Sequence, residues 1–116
     1  MNPRLLLLVS SDPRTSARPA EAIRIAAGVG TWKKTDVTLY LQGPAVLALG
    51  EWVDELVDED NFTRYLPIVG EFGRPIYVQR GSKELADLGD TTHVFEEIDG
   101  TRLAELAAQS NYVLRF

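Results

Sequence analysis

The sequence LLLLV at residues 5–9 is followed at once by SSDPRTS at residues 10–16. A short, unbroken apolar run is typical of a central strand in a parallel sheet, because helices cover both faces of such a strand. The polar, turn-forming residues behind it predict a loop, and a helical pattern begins after that loop. The opening of the chain therefore predicts an α/β domain.

The residues after this loop have the period of an amphipathic helix. Apolar side chains recur at positions i, i+3, i+4 and i+7, namely Ala22, Ile25, Ala26 and Val29. We expect Ser16 to cap the start of the helix, because its hydroxyl can accept a hydrogen bond from a free N–H of the first turn. The helix is expected to end near Gly28–Gly30.

Three further segments are rich in β-branched and aromatic residues and predict strands at Val37–Leu41, Ile76–Val78 and Tyr112–Leu114. Val94–Ile98 predicts either a weak strand or an extended connection. Strands that alternate with helices indicate a mainly parallel sheet with helices on both faces. The expected fold is thus a three-layer α/β/α sandwich of four or five strands, with residues 1–116 forming a single domain.

The segments between the strands predict shorter helices. Pro44 suits the first turn of a helix through residues 45–49. Asn61 is a candidate cap for a helix over residues 62–72, in which Pro67 should cause a kink or a restart. Residues 51–60 fit either a surface helix or a long loop. A short helix over residues 83–88 and a last helix before Tyr112 complete the pattern.

The composition excludes several classes of protein. The chain of 116 residues is 45% hydrophobic and 25% charged and contains no cysteine, so disulfides, thiolate metal sites and thiol catalysis are excluded. The apolar run near the start is too short for a signal-peptide core or a membrane span, and we expect a cytoplasmic protein without membrane contact. A net charge of −5 argues against nucleic-acid binding.

The charges are unevenly distributed along the chain. Residues 1–34 hold six basic and two acidic side chains, whereas residues 51–60 hold six acidic side chains and no basic one. An acidic cluster of this size is usually a solvated face, and a docking surface for a partner is the alternative.

The order of elements resembles the DsrE/DsrF-like family of small α/β proteins, to which sulfur-relay subunits belong. The local likenesses are Leu5–Ser11 before a helix, Val37–Gly43, Ile76–Ser82 with its capped turn, and the terminal Asn111–Phe116. The resemblance covers nearly the whole chain. It implies a DsrE-like fold and an oligomer, either a dimer, trimer or hexamer of this chain or an assembly with related subunits.

The sequence departs from that family at one informative position. The resemblance places the cysteine of sulfur-carrying members at the end of the strand that corresponds to residues 76–79, where this chain has Gln79. A persulfide needs a thiol, which a glutamine amide cannot supply. The resemblance therefore does not imply sulfur transfer by this chain itself.

A candidate ligand site lies where the strands end, because the carboxyl ends of parallel strands meet at one edge of the sheet. The polar residues expected there are Ser10, Ser11, Arg14, Thr15, Ser16, Gln42, Gly43, Gln79, Arg80, Gly81 and Ser82. Guanidinium groups, hydroxyls and free N–H groups suit a small anion such as phosphate or a sulfur oxyanion. The alternative is that these residues only cap helices, form turns and hydrate the surface.

Other functional signals in the sequence are weak. The chain has neither a GxGxxG nor a Walker A motif, so no dinucleotide or P-loop site is predicted, and no cofactor or metal is expected. His93, the single histidine, is expected to be a surface residue rather than a catalyst. Trp32 and Trp52 are expected to pack in the core or at an interface.

Two functions remain. The first is a non-catalytic, oligomeric binding or assembly module, which the resemblance links to sulfur metabolism. The second is an enzyme that acts on a small anionic metabolite or nucleotide through arginine and hydroxyl groups at the sheet edge.

Overall fold

The computed structural model describes residues 2–116, in which five parallel strands form one sheet; from one edge to the other these are the fourth, third, second, first and fifth strands of the chain. The predicted α/β/α sandwich is confirmed, and the uncertain segment after Val94 is a strand. The strands are β1 (Arg4–Val9), β2 (Asp36–Leu41), β3 (Ile76–Gln79), β4 (Phe95–Ile98) and β5 (Tyr112–Arg115). The α-helices are α1 (Arg18–Thr31), α2 (Glu59–Gly70) and α3 (Gly100–Gln109).

Alternation of side chains along the strands gives the sheet two unequal faces. On the first, called the α1/α2 face, Leu7 and Leu39 belong to a large buried cluster that also holds the apolar side chains of α1 and α2. On the second, called the α3 face, Leu6 and Leu8 join a smaller cluster that includes Tyr40 and the apolar residues of α3. The interior strand β1 is therefore buried on both sides, as its unbroken apolar run predicts.

The structure corrects two of the predicted helices and shows that the loop alternative holds for most of residues 51–60. Residues Gly43–Leu49 and Lys83–Asp87 form 3₁₀ helices rather than α-helices, and residues 51–58 form turns with a short 3₁₀ segment at Val53–Glu55. Helix α2 begins at Glu59, ahead of the expected cap Asn61. Short segments between strands have too few residues to recover the cost of nucleating a full α-helix, so tighter turns replace it.

Pro67 does not end or restart the second helix, which continues through it to Gly70. Proline removes one backbone hydrogen bond from a helix, but most helical stability in proteins comes from packing of the apolar face. Phe62 and Leu66 are buried in the large cluster on the α1/α2 face. This packing outweighs the local cost of the proline.

Helix α1 packs closely against the segment that follows α2. The ring of Phe72 lies so near Gly30 that a Cβ atom there would fall 2.2 Å from a ring carbon. The predicted cap Ser16 lies one residue before the cap position, which Ala17 occupies without a side-chain hydrogen bond. The Ser16 hydroxyl instead accepts a hydrogen bond from the Arg18 N–H at 3.1 Å, at the residue where the helix begins. Among residues 2–116, no helix has both the length and the apolar character needed to cross a lipid bilayer.

Candidate functional site

The loop after β1 is organised by the carboxylate of Asp12. It accepts hydrogen bonds from the Arg14 backbone N–H at 2.9 Å and from the Arg14 guanidinium, with Nε at 3.0 Å and Nη2 at 2.9 Å. The guanidinium hydrogen bond holds the pKa of Asp12 below its ordinary value and raises the pKa of Arg14. One of the two predicted anion-binding arginines is therefore already paired with a carboxylate.

Gln79, at the end of β3, connects two strand ends. Its amide oxygen accepts a hydrogen bond at 3.0 Å from the backbone N–H of Gly43, directly after β2. The Ser82 hydroxyl oxygen also lies 3.4 Å from the Gly43 carbonyl, which competes for its single proton with a nearer acceptor, Glu84. Gly43 has a φ of +56°, a conformation that glycine adopts without steric cost. The structure thus brings together three of the segments that the sequence placed at this edge.

Glu84 is a functional candidate that the sequence reasoning missed. Its side chain is only 6% exposed, although a glutamate in a short polar segment gives no sign of burial. One carboxylate oxygen accepts a hydrogen bond from the Ser82 hydroxyl at 3.1 Å. A buried carboxylate at this edge adds negative charge close to the proposed anion site.

Arg80 lies at the neighbouring strand end. Its guanidinium is 3.8 Å from the Asp99 carboxylate, and its backbone N–H donates to the Ile98 carbonyl at 2.9 Å. The connection after β3 crosses the α1/α2 face of the sheet, whereas the connection after the neighbouring strand β4 crosses the α3 face. Arg80 follows β3 and so lies where these two connections diverge. Ligands of open α/β sheets commonly bind in such crevices.

The remaining predicted residues lie at the same edge with different contacts. The Ser10 N–H donates to the Phe116 carbonyl at 2.9 Å, and the Gln42 N–H donates to the Val9 carbonyl at 2.8 Å. Ser11 is half-buried, whereas the Gln42 side chain is exposed. Arg14 borders a cavity of about 210 Å³ that Trp52 and Asp87 also line.

His93 lies away from this edge, in the loop before β4. Its backbone N–H donates to the Thr91 hydroxyl at 3.2 Å, and burial lowers the pKa of its imidazole. The imidazole borders two cavities, of about 600 and 350 Å³, beside Leu66 and Pro67. No imidazole hydrogen bond to a carboxylate or hydroxyl occurs among residues 2–116.

The described residues offer limited chemistry. Residues 2–116 contain no group of three or more histidine or carboxylate side chains arranged to hold a metal ion. The shifted pKa values at the strand-end edge belong to Asp12 and Arg14 and arise from their own ion pair. The arrangement there is a set of strand-end hydrogen bonds with two exposed guanidinium groups at its margin.

A comparison with solved structures finds a protein with the same fold. The chain matches the crystal structure of the ychN protein from E. coli with a TM-score of 0.79, over 100% of both chains and at 18% sequence identity. A likeness at this level of identity shows a shared fold. No family model matches the sequence, and no curated protein matches it.

Proposed function

We propose that this chain is a non-catalytic DsrE/DsrF-like protein that works as an oligomeric binding or assembly module. The observation that carries this proposal is the contact of Gln79, which occupies the strand end where the resemblance places a sulfur-carrying cysteine. Its amide oxygen accepts the Gly43 N–H at 3.0 Å, and the chain contains no cysteine. Gln79 therefore stabilises the contact between two strand ends, and the function that we propose does not use thiol chemistry.

Exposed apolar side chains support self-association. Large exposed apolar groups in a small domain are typical of interfaces. They are Trp32, Trp52, Val94, Tyr112, Val113 and Leu114. Helix α3 adds to this surface, because none of its residues is buried and its apolar residues Leu103 and Leu106 are only partly covered. A second subunit would cover part of this surface.

Ion pairs within the chain reduce the number of charged side chains that are available for contact with another subunit. Arg14 and Arg24 pair with Asp12 and Glu21 in the same chain, so the basic excess of residues 1–34 is carried by the other four basic side chains. The acids of residues 51–60 take part in none of the ion pairs found among residues 2–116. This acidic segment is available to a basic surface of another subunit.

The ligand that we propose for the strand-end edge is a small anion such as phosphate or a sulfur oxyanion. Arg14 and Arg80 supply the positive charge, and each is exposed enough to turn towards a ligand. Both are paired with carboxylates, so an anion must compete with Asp12 and Asp99. We therefore expect binding in the millimolar rather than the micromolar range.

An enzyme that acts on a small anionic metabolite or nucleotide is the second candidate. It is favoured by the hydrogen bond between the Ser82 hydroxyl and the buried Glu84 carboxylate, since such a carboxylate could accept a proton from the hydroxyl. A retained nucleotide or phosphorylated metabolite that is lost on Ser82→Ala substitution would favour this candidate over the first.

Native mass spectrometry of protein purified without added ligand tests both candidates together. The proposed module gives species at multiples of 12.9 kDa that persist in moderate salt. A monomer at micromolar concentration, across a range of salt, contradicts self-association. A pull-down with related subunits then tests the hetero-oligomer separately.

A further inference from the structure

The two edges of the sheet differ in how they are protected against pairing with another strand. On β4 the exposed residues include Glu96 and Glu97, and charged side chains discourage strand addition. On β5 all four residues are exposed, and three are apolar or aromatic: Tyr112 at 62%, Val113 at 38% and Leu114 at 46%. The β5 edge has neither proline nor lysine, so it is open to another strand.

Backbone hydrogen bonds show which part of β5 is free. Phe116 uses both of its backbone groups on β1, donating to the Leu8 carbonyl at 2.8 Å and accepting from the Ser10 N–H at 2.9 Å. Because backbone groups of successive strand residues point to opposite sides, those of Val113 and Arg115 point away from β1.

The end of this edge near Arg115 is already occupied. The guanidinium of Arg18 donates to the Arg115 carbonyl at 3.0 Å and lies 5.7 Å from the centre of the Phe116 ring. A new strand would have to displace this contact to pair with Arg115. The open backbone is therefore centred on Val113.

We infer that β5 of two copies pair antiparallel across a twofold axis at Val113, which joins the two sheets into one. This inference rests on the proposed function, because it specifies the surface through which the chain self-associates. Because the twofold axis is perpendicular to the sheet, the α3 faces of both copies lie on one side of the joined sheet and the α1/α2 faces on the other. Val113 then lies opposite the partner's Val113 on the α3 face, and Tyr112 lies opposite the partner's Leu114 on the α1/α2 face.

Charge favours a second copy in this register. Arg115 is the one charged residue of β5. With the axis at Val113, it lies opposite the partner's Asn111, and the two Arg115 residues are about 14 Å apart along the strands at 3.4 Å per residue. A register centred on Leu114 would bring the two like charges to about 7 Å. Aromatic–aliphatic pairs such as Tyr112 with the partner's Leu114 stabilise antiparallel strands.

The absence of cysteine allows a direct test by single-cysteine cross-linking. In Val113→Cys the two introduced residues have Cα atoms about 5.5 Å apart, within the range that a disulfide spans. In Tyr112→Cys and Leu114→Cys the equivalent residues are offset, which puts their Cα atoms about 8–9 Å apart, beyond that range. Under mild oxidation we expect most of Val113→Cys to become a covalent dimer and little of the other two. Val94→Cys, 82% exposed and next to β4, is the matched control and should stay monomeric on a non-reducing gel.

A second pair of variants tests the contact without a cross-link. Val113→Lys places two ammonium groups at the axis and should lower the mass seen by sedimentation, whereas Val94→Lys should leave it unchanged. Circular dichroism melting confirms that both variants fold. This inference is overturned if the wild type forms oligomers but Val113→Lys has no effect on them and Val113→Cys fails to cross-link. That result leaves the proposed function standing. Preferential cross-linking of Leu114→Cys overturns the register. A monomeric wild type overturns the inference and the proposed oligomer together, and leaves the edge to a strand of a different protein.

Discussion

Replacing Gln79 with alanine tests whether this side chain serves the scaffold. The substitution removes the acceptor for the Gly43 N–H and leaves the backbone of both strand ends in place. We expect Gln79→Ala to lower the free energy of unfolding. Gln79→Met should behave like the alanine variant, because it keeps the length of the side chain and loses the oxygen acceptor.

The size of the effect follows from the burial of the two groups. A typical intramolecular hydrogen bond contributes about 0.5–1.5 kcal/mol, and leaving a buried donor unsatisfied costs about 1–3 kcal/mol. Gln79 and Gly43 are both half-buried, so water can partly replace the lost acceptor. We therefore expect a loss of about 1–2 kcal/mol, which corresponds to a fall in Tm of about 4–8 °C for a domain of this size.

Urea denaturation monitored by circular dichroism measures this loss, with Gln42→Ala as the matched control. Gln42 is an exposed glutamine at the neighbouring strand end, and its side chain forms no hydrogen bond among residues 2–116. Its substitution should change stability by less than about 0.5 kcal/mol. If Gln79→Ala is as stable as Gln42→Ala, the contact with Gly43 does not hold the strand ends and the argument from this position fails.

Three other sets of substitutions test the anion edge, helix packing and the pH dependence of stability. Combining Arg14→Ala with Arg80→Ala should weaken phosphate or sulfate binding measured by calorimetry, with Tm nearly unchanged; equal affinity in wild type and variant would exclude the proposed site. Gly28→Ala should stabilise helix α1 by up to about 1 kcal/mol, because the added Cβ meets open space. Gly30→Ala should lower the free energy of unfolding, measured by thermal melts, by about 1–3 kcal/mol, because its Cβ meets the ring of Phe72. Burial lowers the pKa of His93 in the folded state, so the unfolded chain binds more protons and the stability of the fold falls as pH drops below about 6.5. His93→Gln should reduce this loss of stability between pH 6.5 and 5.5. Identical pH profiles of wild type and variant would contradict the prediction.

Much of the fold could be predicted because its decisive signals are local. The unbroken apolar run of β1 shows that both faces of this strand are covered, and the alternation of strands and helices shows that the sheet is parallel. The type of the short connecting helices could not be predicted, because 3₁₀ and α turns share the same caps and apolar spacing over five to seven residues. Local geometry at Pro67 predicts a kink or a restart, and the restart does not occur because packing of Phe62 and Leu66 in the large cluster keeps the helix continuous to Gly70.

The candidate site was less predictable for a physical reason. Its position at the strand ends follows from topology, but its electrostatics depend on which charges meet. The sequence predicts Arg14 at the anion edge, but its pairing with Asp12 depends on a tight turn that the residue types alone do not specify. Glu84 gives no signal in the sequence, because burial of a carboxylate is a property of the assembled fold.

A thiol at position 79 would not do the structural work of the glutamine. A cysteine side chain is shorter than glutamine, and its sulfur is a weak acceptor. Gln79→Cys would therefore place a thiol near the Gly43 N–H without replacing the hydrogen bond that the amide oxygen accepts at 3.0 Å. The strand-end geometry is thus matched to glutamine, and introducing a thiol at position 79 would weaken the contact between the two strand ends. The β5 edge, with three exposed apolar or aromatic side chains and outward backbone groups, offers an interaction surface that does not depend on position 79.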